Sequence, residues 1–492
     1  MKKSLLAMTA LAAMLFAGCT SSDEITTLES IKQAENAPTA IEFGTYVGRT
    51  GTRSGYQGGI TDTELRTTAT TNGFGVFAYY TQASDYSSGT AANFMYNQKV
   101  TYDTDHWEYS PLKYWPNDIA TGNVDDGDGA SPSATGSEAG GKVSFFAYAP
   151  YVFVTTNSSN GTLGKEKAPS ATVDYETEVI QKGSVGTGIT NITANNVTGD
   201  PVITYVLNTT TPSQNVDLLW GTAGTSSAAA SYNNVVGTTI SAANTATKNV
   251  NGAYYQVWKN CTKQKSNQNI SLNFVHALAK IGNITLAMDP NSGITADKGG
   301  TGLFGNTASV GYTNVTVQNI TLSYAGSASE TFNLHTGVWS KTGSSTISYV
   351  LDSNTELNTD IFYDNGSEPG SFTSLPLGVT GIKASSTTTR ALNLSTTPML
   401  YFFPTVTTST TPFILNISIT YTLRTYDPNL SQGWTLVTQT ISKVITFTDG
   451  LRVNGDYTLN LLLGVEDINI SATVQNWDDG SSTDVYLPID VM

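Results

Sequence analysis

The side chains able to do chemistry are few and scattered. The chain has three histidines (His106, His276 and His335) and two cysteines (Cys19 and Cys261) in 492 residues. No two histidines stand at a spacing that would present a pair of imidazoles to a metal ion. His276 sits inside Phe274-Val275-His276-Ala277-Leu278, an apolar run that suits a hydrogen-bonded core histidine better than a ligand or a base. Cys261 has no histidine near it in sequence and reads as a buried structural thiol. The acidic run Asp125-Asp126-Gly127-Asp128 offers oxygens to Ca²⁺ but lacks EF-hand spacing, because Ala130 takes a ligand place. A solvated turn is the first reading there, with Ca²⁺ as the alternative. There is no P-loop and no G-x-G-x-x-G. The seven tryptophans mostly lie in apolar or turn-flanked runs, where core packing accounts for them before sugar stacking does. The expectation is therefore no enzyme, no metal and no cofactor.

Two places instead invite covalent processing. Met1-Lys2-Lys3 is followed by the apolar run Leu5 to Ala17 and then Gly18-Cys19, the pattern of a secretory signal peptide. The run is too short for a bilayer-spanning helix. A cysteine directly after the small residues reads as a lipobox, so residues 1–18 are expected to be removed, Cys19 lipidated and 19–38 left as a tether. Acyl chains would anchor the protein without spanning the membrane. The second place is Gly48-Arg49-Thr50-Gly51-Thr52-Arg53-Ser54-Gly55, two arginines in a Gly-rich stretch of the kind proteases reach. The Thr-Arg context favours Arg53, with Arg49 next, and an ordinary surface loop remains the alternative.

The elements that would hold these places are strands. Phe74 to Tyr80 and Lys142 to Pro150 are continuous aromatic and β-branched runs bounded by turn residues. Phe413 to Tyr421, Tyr457 to Leu461 and Ile468 to Val474 alternate apolar and polar, as half-buried strands do. Val216 to Trp220 is a further short strand, and Phe274 to Leu286 also reads as one strand. Sustained 3.6-residue periodicity is scarce, so the fold class is all-β, with sandwiches favoured over α/β arrangements. Length sets the domain number at two or three, with a boundary near Lys265 where a Thr/Ser/Asn/Gly-rich stretch ends. The domains are thus 39–265 and 266–492. A net charge of −15 excludes nucleic acid as a partner, since binding it needs a basic surface.

In order along the chain stand Ile41-Glu42-Phe43, Thr52-Arg53, Gly73 to Tyr79, His106-Trp107-Glu108-Tyr109, Lys113-Tyr114-Trp115-Pro116, Phe145 to Pro150 and Asp217-Leu218-Leu219-Trp220-Gly221. Phe274 to Ile281, Phe403-Pro404, Asn454-Gly455-Asp456-Tyr457 and Val474-Gln475-Asn476-Trp477 follow. This series resembles the fimbrillin family of the Bacteroidales, the type V pilins and their Mfa-like relatives. Thr20-Ser21-Ser22-Asp23-Glu24 resembles the export tag of Bacteroidales surface lipoproteins. The resemblance implies two transthyretin-like β-sandwich domains in tandem and an outer-membrane lipoprotein precursor at the cell surface. It also implies an Arg-specific surface protease that frees the first strand, and polymerisation with other fimbrial subunits, self or related, by strand exchange. The product would be a fimbria, with this chain as stalk or adhesive tip meeting a host or bacterial surface ligand. A monomeric surface lipoprotein binding glycan or host protein is the alternative, and a secreted hydrolase a distant third.

Strand exchange needs a removable strand, and Ile41, Phe43 and Val47 share one face at period 2. It also needs a donor. Val485, Leu487, Ile489 and Val491 share one face of the C-terminal segment, and Pro488 suits that segment to an edge. Donation to a neighbour and pairing within its own domain stay equally open.

Overall fold

The computed structural model describes residues 39–47, 60–67, 73–116 except 83 and 91, 142–152, 187–193, 199–226 except 213–214, 232–233, 239–242 and 249–261 except 250. It also describes 269–288, 313–352, 361–363, 390–392, 400–405, 412–426, 429–431, 434–463, 468–476, 485–486 and 489–491. The described elements are nearly all strands, and the all-β expectation is borne out. They begin with β1 (Phe43–Val47), β2 (Phe74–Tyr80), β3 (Met95–Asp103), β4 (His106–Glu108), β5 (Val143–Ala149), β6 (Gly188–Thr193) and β7 (Val202–Val206). Next are β8 (Leu219–Thr222), β9 (Gly224–Ser226), β10 (Tyr232–Asn233), β11 (Thr239–Ala242), β12 (Tyr254–Cys261) and β13 (Ile270–His276). Then come β14 (Ala279–Met288), β15 (Thr313–Gly326), β16 (Ser329–Asn333), β17 (Val338–Lys341), β18 (Ser345–Asp352), β19 (Ile361–Tyr363), β20 (Arg390–Leu392) and β21 (Leu400–Phe402). The last are β22 (Phe413–Tyr426), β23 (Trp434–Phe447), β24 (Gly455–Leu463), β25 (Ile468–Asn476), β26 (Val485–Tyr486) and β27 (Ile489–Val491). One short helix, α1 (Asp62–Arg66), follows β1.

An eleven-stranded sheet carries the path β1-β13-β8-β5-β12-β11-β10, with β2, β3, β4 and β9 attached beside it. A four-stranded sheet ordered β17-β16-β7-β6 faces it. Between them Phe77, Phe146 and Trp220 meet Tyr205, Phe332 and Trp339 in one core. The other face of the large sheet has a second core, built on Phe74, Phe145, Leu219 and Phe274. β2 and β5 are therefore covered on both faces. That is why their sequences run apolar without alternation.

The second sandwich pairs two six-stranded sheets, β20-β14-β24-β25-β26 with β21 and β18-β15-β22-β23-β27 with β19. Its core joins Ile284, Leu459 and Val474 of one sheet to Leu322, Ile417 and Ile419 of the other. Along Phe413–Tyr421 the odd-numbered residues are buried and the even ones face outward, as the period-2 reading requires.

The run expected as one strand from Phe274 to Leu286 is two. β13 belongs to the large sheet and β14 to the second sandwich, and the fully buried Ala277 and Leu278 carry the chain between them. Ala277 N–H donates to Leu218 O at 2.7 Å and Trp339 Nε1–H donates to Ala277 O at 2.8 Å. The first bond continues the β13–β8 register by one residue, and the second is accepted by the Ala277 carbonyl from the four-stranded sheet's Trp339. β13, β16 and β17 all lie beyond Lys265, yet β13 pairs with β8, and β16 joins β17 to β7.

Candidate functional site: an edge strand and the groove it fills

β1 ends the path of the large sheet, and β13 is its ladder partner, parallel, with Phe43 opposite Ile270, Thr45 opposite Leu272 and Val47 opposite Phe274. Glu42 O accepts from Ile270 N–H at 2.8 Å. Upstream, the same chain pairs elsewhere. Ile41 N–H donates to Lys113 O and Trp115 N–H to Thr39 O, both at 2.9 Å. Tyr109 Oη–H also donates to Ile41 O at 2.8 Å. Residues 39–47 thus lie between two backbone rims, 113–115 and 270–274, and change partner part-way along. The alternation places Ile41, Phe43 and Val47 inward, all but fully buried, while Tyr46 is 56% exposed. The Phe43 ring lies 5.6 Å from that of Tyr109 and 6.0 Å from those of Phe74 and Phe145. An edge strand gains backbone bonds on one side only, so its side chains must fix it.

The segment after β1 is held differently. Ile60 is fully buried, and its N–H donates to Asp217 Oδ2 at 2.8 Å. Thr61 caps α1 reciprocally with Glu64, Thr61 N–H to Glu64 Oε2 at 2.8 Å and Glu64 N–H to Thr61 Oγ1 at 3.2 Å. Asp217 Oδ2 also accepts from His276 Nδ1 at 2.6 Å, with both side chains 0% exposed. His276 is therefore a hydrogen-bonded core histidine at the end of β13, tying the groove's wall to the segment beyond residue 59.

Asp200 accepts from Tyr86 Oη–H at 2.7 Å, His335 Nδ1 at 3.0 Å and Asn333 Nδ2 at 2.8 Å. Burial pushes its carboxyl up, but these donors outweigh burial and hold it at about 2. Glu330 on β16 is pushed up to about 7 by burial, against a smaller opposing pull from Lys341. Cys261 is a free, buried thiol whose pKa burial raises. His106 is exposed beside Asp105, which raises its pKa. Among the described residues no three His, Cys, Asp or Glu side chains gather as a metal site.

Of the residues expected from sequence, Ile41, Phe43 and Val47 come together on one buried face. Cys19, Arg49, Arg53, Leu487 and Asp125 to Asp128 lie outside the described residues. In the C-terminal segment β26 pairs with β25 (Val485 opposite Val474), and β27 pairs with β23 (Val491 opposite Ile445, Ile489 opposite Phe447). Within this chain, then, the segment touches the edges of both sheets of the second sandwich. Sequence reasoning missed the rim 113–115, the parallel partner β13 and the Asp217 link. Lys113-Tyr114-Trp115 and Phe274-Val275-His276 were conspicuous as strings, but nothing local joins them to residues 39–47.

Over 94 residues the chain is 36% identical to fimbrium subunit Fim1C of Phocaeicola vulgatus, a stretch covering 18% of this chain and 19% of that relative. The resemblance to the Bacteroidales fimbrillins is borne out. The match spans about a fifth of the relative's length. A fimbrial protein from Bacteroides vulgatus has the same fold at a TM-score of 0.50, with 19% identity, over 90% of this chain and all of that one. No protein-family model matches.

Proposed function

We propose that this fimbrillin-like chain is a structural subunit of a surface fimbria, stalk or tip, that polymerises by protease-triggered strand exchange and supports adhesion. The observation that carries the reading is β1. It lies at a sheet edge on a parallel partner, with Ile41, Phe43 and Val47 in the core. The residues 48–59 that follow include Arg49 and Arg53. The precursor reaches the outer membrane as a lipoprotein anchored at Cys19. An Arg-specific surface protease cuts after Arg53 or Arg49, residues up to Val47 leave, and the groove between 113–115 and 270–274 stands open. A strand from a neighbouring subunit fills it. Val485, Leu487, Ile489 and Val491 are the donor face; in the free subunit 485–486 pair with β25 and 489–491 with β23.

Burying an aliphatic or aromatic side chain fully is worth roughly 1.5–3 kcal/mol, so several in one inserted strand hold the joint without nucleotide or covalent bond. Limited trypsin digestion, mass spectrometry and electrophoresis of unboiled samples test this. The expected result is one early cut after Arg49 or Arg53, then heat-sensitive ladders. A chain that is cut and stays monomeric would refute the reading and favour a stand-alone surface binding protein.

A further inference from the structure

The inward row of β1 is not uniform. Between Phe43 and Val47 it holds Thr45, opposite the fully buried Leu272. Thr45 Oγ1 is buried and has no hydrogen-bond partner among the described residues. A hydroxyl taken from water without a partner destabilises the arrangement that puts it there. Parallel pairing is also the slightly weaker of the two ladder types. β1 is thus a poorer occupant than this groove can hold.

We propose that the position opposite Leu272 is the selecting subsite of the groove: β1 occupies it with a polar mismatch, and the replacing strand sets an aliphatic side chain there. The inference rests on the strand-exchange reading above. The occupant it fits is the 485–491 segment of a second copy of this chain, whose row Val485, Leu487, Ile489 and Val491 contains no hydroxyl. The mismatch supplies direction. Before the cut, tethering keeps β1 at a high effective concentration and in place. After the cut it competes as a separate segment and loses to the better-matched strand.

Thr45→Val removes the hydroxyl at nearly constant shape, so it tests the subsite without opening a cavity. The intact variant should resist chemical denaturation more than the parent. Once trypsin has cut both chains, the variant should release the fragment containing residues 39–47 about tenfold more slowly, equivalent to roughly 1.4 kcal/mol. A synthetic peptide of residues 39–47 with Val at position 45 should likewise bind the emptied groove about tenfold more tightly than the peptide with Thr. Thr45→Ser keeps the hydroxyl and should not slow release. An intact variant no more stable than the parent, or a Val peptide that binds no more tightly, overturns the subsite even where strands exchange. If neither cut chain releases residues 39–47, the strand-exchange reading and the selecting role fail together. The mismatch itself is still read from the intact pair.

Discussion

Phe43 should be the residue on which retention of β1 turns. Its ring is 5% exposed and packs edge-on or tilted against Phe74, Phe145 and Tyr109. Replacing a buried phenylalanine by alanine costs about 3–5 kcal/mol, through lost transfer energy and the cavity left behind. β1 is an edge strand that can relax, so the lower end applies, about 3 kcal/mol. Because each 1.4 kcal/mol is a factor of ten, Phe43→Ala should speed release of the cut segment by about 100-fold. Tyr46→Ala is the control, since that side chain sits on the same strand at 56% exposure and such surface changes stay within about 0.5 kcal/mol. The assay follows the cut fragment's departure by size-exclusion chromatography and mass spectrometry, alongside urea midpoints of the uncut proteins. Equal release rates for Phe43→Ala and Tyr46→Ala would show that the apolar face does not hold the strand, and the reasoning would fail.

Asp217→Ala should destabilise the uncut chain by about 3–5 kcal/mol, because it strands a buried histidine and the Ile60 N–H together; a loss below about 1 kcal/mol in urea titration would contradict the pairing. Glu330 goes from an ordinary 4.5 to about 7 in the fold. A raised carboxyl favours the folded state below 4.5, and that contribution is lost as pH rises through about 7. Glu330→Gln should therefore stabilise the protein at pH 8 by on the order of 3 kcal/mol and flatten the slope between pH 5 and 8. Parallel pH–stability curves for the two proteins would rule this out.

How much was legible differs from residue to residue. Ile41, Phe43 and Val47 were readable as one face because alternation is built into an extended chain. Phe74–Tyr80 and Val143–Ala149 announced strands covered on both sides by running apolar without a break. His276 was readable as a core histidine from its neighbours, though Asp217, its partner, was not. By contrast, the same alternation carried the reading of Phe274–Leu286 straight across Ala277 and Leu278, where the chain passes from the large sheet into the second sandwich. It was equally silent on β16, beyond Lys265, pairing with β7 and carrying β17 on its other side.

The sequence by itself determined an all-β protein with an apolar face on its first strand, because side-chain period and turn chemistry are local properties. Only the tertiary structure decided that this strand lies parallel to β13 and shares its backbone bonds with residues 113–115. It alone set Thr45 against Leu272 with its hydroxyl buried. The cost of closing a loop grows slowly with its length, so distant strands compete for one edge on nearly equal terms. Which one wins is decided by how side chains fit across the sheet.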